Sequence, residues 1–487
     1  MRGTQVRVGL ARKTLGEWGM AVFGAAASAP MVVLAGGIVA TYATTQVMSL
    51  PLVFLLVGGV VALLAVGYTA MSRQVPHAAA YYAILARGLG NGWGVAGGLV
   101  ALVGYNSIQI SLYGLLGATL AGLVGGTWWV WSGITVVLVA VLGVRAIALS
   151  TRLLATVLVC SLVIVLAFGL SALASPSGGA VSWQGFSVSG LAVGGVGGAV
   201  ALCLAALMGV DVPGSFAEEA HSGRAVTRAV FGGVFFLTGV YALTAWAMGV
   251  AVGPDQVAQV AADPNAALPW SLFEQRLGSV VTVLAEAMLI CAIITSLLAF
   301  HSVVARYVFA MAREGVLPVA LARAGSGTRI SAPVGGSLFQ TVTAAVVLAG
   351  FVVAGADPVA GMFTWLSTLG ALGLLCLLLA ASLAAMMSLA RLRGSRAGVW
   401  SSLIAPAFGL ALGLVVLTAM VVNVGTLLGA APGSLKPYVL PLIIVVAAVG
   451  GGLWARFLRR ARLEIYLGIG LGRPDTHAIP DDVGVTF

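Results

Sequence analysis

The stretch Ala206-Leu-Met-Gly-Val-Asp-Val-Pro-Gly-Ser-Phe-Ala-Glu-Glu219 decides how this chain folds. It follows a glycine-rich apolar run long enough to cross a membrane, yet it contains a proline, two glycines and, before its acidic end, the carboxylate of Asp211. Pro213 has no N–H group, so the carbonyl of Gly209 loses its helical partner. Gly209 and Gly214 allow an opened backbone at low steric cost. Such backbone is tolerated at membrane depth only where protein buries it or it lines a cavity. The stretch therefore predicts a helix break at a buried site, with Asp211 as a candidate functional carboxylate.

The composition places this break in an all-α polytopic membrane protein. Of the 487 residues, 60% are hydrophobic and only 8% are charged, a balance typical of that class. About twelve apolar stretches reach the roughly 20 residues that a bilayer crossing needs. We predict spans at 18–46, 50–71, 93–124, 127–147, 151–174, 190–219, 227–251, 278–312, 332–354, 357–388, 402–424 and 436–457.

The basic residues indicate the orientation of the spans. With a cytoplasmic N-terminus, all but two of the 24 Lys and Arg residues lie in cytoplasmic segments, the exceptions being Arg276 and Lys436. This asymmetry predicts twelve crossings of the cytoplasmic membrane, with both termini in the cytoplasm. The formal net charge of +10 therefore reflects topology, and we expect a lipid bilayer rather than nucleic acid as the partner.

No pattern indicates an enzyme, a cofactor or a metal. The four cysteines lie in apolar spans without paired spacing, which implies neither disulfides nor a metal framework. The four histidines lack metal-ligand spacing, and the chain has no His-Glu-x-x-His and no nucleophile motif. We therefore predict no enzymatic activity.

The first span contains a matching interruption at Gly24-Ala-Ala-Ala-Ser-Ala-Pro30, where Pro30 frees the carbonyl of Ala26. Membrane helices also tolerate proline as a simple kink. Two interrupted spans in corresponding positions of two halves, however, indicate the binding site of a transporter. Breaks in spans one and six predict a five-plus-five inverted repeat, with spans eleven and twelve peripheral.

Opposite helix ends are expected to face this site. The outer half of span one begins at the midplane with free N–H groups and the positive end of its dipole. The outer half of span six ends there with free carbonyls. The two breaks together predict a site for a zwitterion.

The predicted organisation has five parts. A cytoplasmic tail (1–14) precedes the first repeat (15–174) and the second repeat (175–388). The peripheral spans (389–462) and a short, mobile cytoplasmic tail (463–487) follow.

Other polar or aromatic side chains within the spans are candidates. Tyr105 and Asn106 should face the bundle interior, as substrate contacts or as helix-to-helix hydrogen bonds. Glu286 lies in a purely apolar context and is a candidate for proton or cation passage. Trp365 is placed for an outer gate or for packing at the interface.

The end of span eight carries further charge. Arg306 and Arg313 should snorkel or pair with Glu218 or Glu219. His301 is interpreted first as a hydrogen-bonded packing histidine and second as a proton relay.

Three segments resemble the amino acid–polyamine–organocation transporter superfamily. Met208–Glu219 resembles its sixth-helix pattern, Ala305–Pro318 its eighth-helix ending and Val75–Tyr82 the segment after its second helix. The resemblance covers about residues 15 to 460. It implies alternating access and a central site between helices one, three, six, eight and ten.

The resemblance also implies which residues bind a substrate. It places the substrate carboxylate at three backbone positions of span one, namely Ala27, Ser28 and Ala29. It places the amine at the carbonyls of Ala26, Leu207 and Gly209, with Met208 over the site. The first break has Ala-Ala-Ala-Ser-Ala-Pro where many members have Gly-Ser-Gly-Ile-Phe, which implies a narrower opening.

These observations favour a secondary transporter of a neutral or cationic amino acid, or a related amine, working as a symporter or exchanger. No Lys or Arg lies in the central membrane zone to meet an anionic side chain. An exporter of an amino-acid-like metabolite and a transporter-like receptor without net transport are the alternatives. No oligomeric state is predicted.

Protons are the favoured coupling ion. Charge on the buried Asp211 is costly and protonation removes it. Sodium is less favoured, because no carboxylate-and-hydroxyl cage is recognised, although backbone carbonyls with Thr295, Ser296 or Ser302 could build one.

Overall fold

Helices form most of the described chain, because a segment in hydrocarbon must satisfy its own backbone hydrogen bonds. The computed structural model describes residues 15–144, 151–192, 194–323, 333–391, 398–431 and 433–472. The predicted N-terminal tail (1–14) and the last part of the C-terminal tail (473–487) lie outside these ranges.

Within the described ranges, eleven helices are long and apolar enough to cross a membrane. A shorter apolar helix, Trp128–Val144, is counted as span 4. The others, in chain order, are Glu17–Thr45, Leu50–Ser72, Asn91–Val124, Thr151–Ala174, Val196–Phe216, Gly223–Val252, Ser279–Arg313, Val334–Val353, Pro358–Ser388, Trp400–Leu427 and Lys436–Ala461. The prediction of an all-helical protein with about twelve spans is confirmed.

Contacts between distant segments define two ends of the bundle. At one end, which we call the basic end, Glu17 of span 1 pairs with Arg228 of span 7 at 3.0 Å. At the opposite end, Gln46 after span 1 donates to the carbonyl of Ala258 after span 7 at 3.3 Å.

Burial separates inner from outer spans. The measure is the buried share of an apolar stretch of 18 residues within a span. In spans 1, 6 and 10, 78% of that stretch is buried, against 28% in span 11 and 22% in span 12. The first three therefore form the centre, whereas spans 11 and 12 lie toward the outside, as do spans 5 and 9, which are also 28% buried by this measure.

A short helix, Ala80–Leu89, lies beneath the bundle at the basic end. It packs closely against spans 3 and 10. A methyl group added to Gly94 of span 3 would lie 2.6 Å from Cβ of Ala86 in the short helix, and one added to Gly88 of the short helix would lie 2.4 Å from Cβ of Ala384 in span 10. Tyr81 and Tyr82 of this helix are completely buried.

Span 1 is interrupted at one residue. An α-helix runs Glu17–Ser28, Ala29 has a left-handed backbone (φ 42°), and Pro30 begins the next helical turn. The cause is Pro30, whose ring disfavours the α conformation at the residue before it. The chain turns at Ala29, which adopts the left-handed conformation although that region is strained for alanine.

Span 6 is interrupted over a longer stretch. Its α-helix ends at Leu207, Met208 is extended, and Gly209 has a φ of 119° that favours glycine. After Asp211 the chain forms a 3₁₀ helix, Val212–Phe216, instead of a second α-helical half.

Candidate functional site

The two interruptions are in direct contact. The Ser28 hydroxyl donates to the carbonyl of Met208 at 2.9 Å. A methyl group added to Gly24 would lie 3.1 Å from the carbonyl oxygen of Gly209 and 3.3 Å from the Pro213 ring. The backbone opened at Ala29 and the backbone opened at Gly209 therefore meet in the middle of the bundle.

Hydroxyl groups from other spans bind the carbonyls near the break in span 1. Ser296 of span 8 donates to the carbonyl of Ala27 at 2.6 Å. Tyr241 of span 7 donates to the carbonyl of Ser28 at 2.9 Å. These bonds satisfy carbonyls that the break would otherwise leave unpaired, and they hold span 1 against spans 7 and 8.

The backbone donors that the resemblance assigns to a carboxylate are engaged. Ala27 and Ser28 lie within the α-helix that ends at Ser28, and their N–H groups belong to its internal ladder. The Ala29 N–H donates to the carbonyl of Ala25 at 3.0 Å.

The carbonyls assigned to an amine differ from one another. The carbonyl of Leu207 accepts from Val210 at 3.3 Å, and that of Gly209 accepts from Val212 at 3.1 Å. Pro213 thus frees Gly209 from an α-helical bond, but a 3₁₀ turn replaces it. The carbonyl of Ala26 has no helical donor, because Pro30, four residues later, lacks an N–H group.

A cavity of about 60 Å³ lies at the two breaks. Spans 1, 3, 6, 8 and 10 all contribute to its lining, the set of helices that the resemblance implies. The apolar part of the lining includes Met208, Phe300 and Phe363. Its hydroxyls belong to Ser28, Ser111, Ser296, Thr364 and Ser367.

All five of these hydroxyls donate to backbone carbonyls. Besides Ser28 and Ser296, Ser111 donates to Ile108 at 2.7 Å, Thr364 to Val359 at 2.9 Å and Ser367 to Thr364 at 3.2 Å. A hydroxyl that has given its proton retains acceptor lone pairs. The cavity therefore presents mainly hydrogen-bond acceptors.

Some predicted site residues lie outside this cavity. Asn106 donates to the carbonyl of Leu102, at 2.7 Å, on its own helix. Trp365 lies near span 12, with Nζ of Lys436 6.0 Å from its ring centre. Glu286 lines a second cavity of about 370 Å³, together with Trp270 from the connection before span 8.

Asp211 lies outside the cavity lining, at the centre of a tyrosine cluster. Its side chain is 2% exposed, and Oδ2 accepts from Tyr105 at 2.6 Å and from Tyr81 at 3.0 Å. Tyr68 donates to its main-chain carbonyl at 3.0 Å. Oδ1 has no partner among the described residues. Three elements thus converge on Asp211, two of them on its carboxyl group and the third on its main-chain carbonyl.

Gly214 makes this convergence possible. A methyl group at Gly214 would lie 1.7 Å from the hydroxyl oxygen of Tyr68. Gly214 therefore allows the Tyr68 hydroxyl to approach the backbone closely, in addition to the backbone freedom that the sequence suggests.

Ion pairs close the basic end below the tyrosine cluster. Arg306 pairs with Glu219 at 2.8 Å and Arg313 pairs with Glu218. The Arg306 guanidinium also lies 4.3 Å from the ring centre of Phe216. Of the two alternatives for these arginines, pairing is therefore the one observed. Burial raises the pKa of the Glu218 carboxyl, but the nearby His77 and Arg313 lower it more, and it lies below its ordinary value.

Glu314, directly after span 8, binds the C-terminal segment. It accepts from His77 at 2.9 Å, from Tyr82 at 2.5 Å, and from the N–H groups of Gly470 and Gly472 at 2.8 Å each. Burial raises its pKa, but the hydrogen bonds from His77, Tyr82 and Gly470 outweigh burial and hold it below its ordinary value.

The expectation of a mobile C-terminal tail is therefore wrong for residues 463–472. Their backbone is held by Glu314, and Ile469 is buried. The sequence of this segment does not show that the N–H groups of Gly470 and Gly472 will meet a buried carboxylate.

His301 lies away from both cavities. Its Nε2 is 2.7 Å from the Ser337 hydroxyl of span 9, and the ring faces Gly143 of span 4. This placement agrees with the packing interpretation.

Several residues that shape the site are missed by reasoning from the sequence. Tyr81 lies in the segment after the second span that carries part of the resemblance, but no role is assigned to it there. Glu314 lies in the eighth-helix ending, again without a role. Tyr241 stands among apolar residues of span 7 and carries no sequence signal for its bond to Ser28.

Gly209→Ala is expected to abolish transport. The added methyl would lie 2.5 Å from the Ser28 hydroxyl, and a φ of 119° strains any L side chain. Substrate counterflow in proteoliposomes measures the loss, with size-exclusion elution as the folding check. Gly239→Ala on span 7, where nothing lies within 4 Å, is the control and should retain activity. Normal counterflow by Gly209→Ala would show that the contact between the breaks is dispensable.

The helical bundle with a central cavity at two interrupted spans defines a membrane transporter. A model of the amino acid permease family matches residues 19–454, and the chain belongs to that family. The protein is thus an amino acid permease family member.

Solved structures agree with this fold. Crystal structures of two mutants of the Eremococcus coleocola manganese transporter each match with a TM-score of 0.55 and 17% identity. The alignments cover 94% and 92% of this chain and 98% and 95% of the respective transporter chains. Among curated proteins, none matches the sequence significantly.

Proposed function

We propose that this protein moves a small neutral or cationic amino acid, or a related amine, across the cytoplasmic membrane by alternating access. The observation that carries the proposal is the acceptor-rich cavity at two facing helix breaks. A five-plus-five inverted repeat, with spans 1 and 6 as the corresponding broken helices, would supply the two alternating conformations.

The lining favours recognition of an ammonium group. Its five hydroxyls have given their protons to carbonyls, and an ammonium has three donors and no acceptor. No acidic or basic side chain is among the described lining residues. A carboxylate has fewer partners in this conformation, because the Ala27, Ser28 and Ala29 N–H groups are engaged within span 1.

The volume favours a small substrate. About 60 Å³ accommodates only a few heavy atoms, and the walls are mainly alanine, serine and valine. Large aromatic or long cationic side chains would require the cavity to expand toward one end.

The position of Asp211 supports proton coupling. The basic end is proposed to face the cytoplasm, because positively charged residues concentrate there. Asp211 lies between the cavity and the ion pairs of that end, and Tyr105 links it to Phe300 of the lining, with ring centres 6.4 Å apart. Protonation would remove a buried charge and change how the tyrosines bind.

A metal substrate is less well supported. The likeness to the manganese transporter shows the fold alone. The described lining offers hydroxyls and the thioether of Met208 but no carboxylate, whereas manganese prefers carboxylate oxygens. Membership of a permease family also points to a transporter rather than an enzyme.

Counterflow of radiolabelled amino acids and amines in proteoliposomes tests the proposal. We expect exchange of small neutral substrates and little exchange of large aromatic ones. Substrate-dependent thermal stabilisation without any counterflow would favour the receptor alternative. Net efflux under an inward proton gradient would favour the exporter. Absence of both stabilisation and counterflow across the panel would contradict the proposal.

Ser296→Ala is expected to weaken substrate exchange by about ten-fold. The substitution removes one hydroxyl acceptor of the substrate ammonium, and a hydrogen bond to a charged group contributes roughly 1.5–3 kcal/mol. The KM for counterflow is the measurement. Thr295→Val is the matched control, because Thr295 donates only to Ala292, within its own helix. Equal effects of the two substitutions would remove Ser296 from the site.

A further inference from the structure

We propose that a groove between spans 3 and 12 at the basic end binds one anionic phospholipid. The groove has a volume of about 640 Å³. It shares no lining residue with the central cavity, and transport as proposed above does not depend on it. The inference uses only the membrane location and the proposed orientation of the basic end.

The wall of the groove is apolar and exposed. Trp93 is 61% exposed, and Val449 and Leu453 are each 56% exposed. Spans 3 and 12 are in close contact next to the groove. A methyl group added to Gly451 would lie only 2.6 Å from Cα of Ala96. Beside that contact, Gly452 leaves open space, with nothing within 4 Å of an added methyl. This shape suits an acyl chain lying along the two helices.

The rim of the groove is basic. Arg456 and Arg459 line it, three residues apart and therefore on one face of span 12. Both are exposed, and within the described ranges neither forms a salt bridge. No acidic side chain is among the described lining residues. Guanidinium groups bind phosphate through paired N–H donors.

The combination of rim and wall identifies the ligand class. Basic pockets between transmembrane helices on the cytoplasmic side recognise anionic headgroups. A free phosphate ion would use the arginines but leave the apolar wall unused, whereas a phospholipid uses both. Tyr466 closes one side of the groove, and its carbonyl accepts from Asn91 at 2.6 Å. The bound lipid would therefore also contact the segment that reaches Glu314.

Native mass spectrometry of the full-length protein tests this inference with phosphatidylglycerol and phosphatidylcholine as probes. We expect preferential retention of phosphatidylglycerol. The double variant Arg456→Gln with Arg459→Gln should weaken that retention roughly ten- to thirty-fold, since it removes both guanidinium groups that would bind the phosphate. The variant Arg460→Gln with Arg462→Gln carries the same charge change outside the lining and should stay within about two-fold of the parent.

Four results would overturn the inference. Equal losses in the two double variants would reduce it to general attraction by a basic surface. Equal retention of both lipids would remove the phosphate specificity. Full retention by Gly452→Phe, which fills the groove but keeps both arginines, would show that no acyl chain lies there. Displacement of the bound lipid by inorganic phosphate alone would identify a free anion as the ligand.

Discussion

Asp211→Asn is expected to remove the pH dependence of uptake and the accumulation that a proton gradient drives. Asparagine keeps an acceptor oxygen for Tyr81 and Tyr105 but cannot take up or release a proton. A gradient of one pH unit supports about ten-fold accumulation for each proton carried, so the variant should lose about that factor. Concentrative uptake in proteoliposomes with an imposed pH gradient is the measurement.

Exchange separates coupling from binding in this experiment. Counterflow at equal pH on both sides needs no net proton movement, so Asp211→Asn should retain it within a few-fold. Tyr68→Phe is the control, because Tyr68 binds only the main-chain carbonyl of Asp211. Unchanged pH dependence in Asp211→Asn would exclude this residue as the coupling group, and Glu286→Gln would then be the variant to measure.

The breaks can be located from the sequence because proline acts locally. Pro30 has no N–H and excludes the α conformation from the preceding residue, and the left-handed residue is indeed Ala29. The missing N–H of Pro213 likewise points to the carbonyl of Gly209, four residues earlier, and the chain opens at that glycine. It shows neither that the chain beyond Asp211 continues as a 3₁₀ helix nor that Tyr68 closely approaches Gly214.

The partners of the opened backbone cannot be predicted in this way. Ser296 binds a carbonyl 269 residues away in the sequence, and Tyr241 binds one 213 residues away. No spacing rule connects such positions, so the sequence leaves the Ala27 and Ser28 carbonyls without partners. Asp211 is recognisable because a lone carboxylate is conspicuous in an apolar span. Tyr81 cannot be recognised in the same way, because it lies outside the spans and a tyrosine does not stand out from the residues around it there.

Glu314→Gln is expected to open the basic end. The carboxylate accepts from His77, Tyr82 and two backbone N–H groups, and it is 3% exposed. A glutamine has one acceptor oxygen, and its amide protons would face N–H donors. Breaking a buried charged network of this kind costs roughly 3–5 kcal/mol, which corresponds to more than about 100-fold in a closed-to-open equilibrium.

Labelling of a single cysteine at the cavity measures this opening. With the four native cysteines replaced, Ala205→Cys lies in the lining and should react faster, in inside-out vesicles, when Glu314→Gln is present. Truncation after Arg462 removes Gly470 and Gly472 and should act in the same direction. Glu464→Gln is the control, because Glu464 is exposed and forms no ion pair among the described residues. Unchanged labelling in a folded Glu314→Gln protein would show that the ion pairs of Glu218 and Glu219 close this end alone.

The pH dependence of this closure should differ from that of transport. A carboxyl whose pKa is lowered in the closed state stabilises that state above its ordinary pKa of about 4.3, and the stabilisation is lost as pH falls through the lowered value. Glu314 has such a lowered pKa. The Glu314 carboxylate itself therefore stays ionised from about pH 5 to pH 8. Labelling that changes with pH across that range in the parent protein, but not in Asp211→Asn, would assign the titrating group to Asp211.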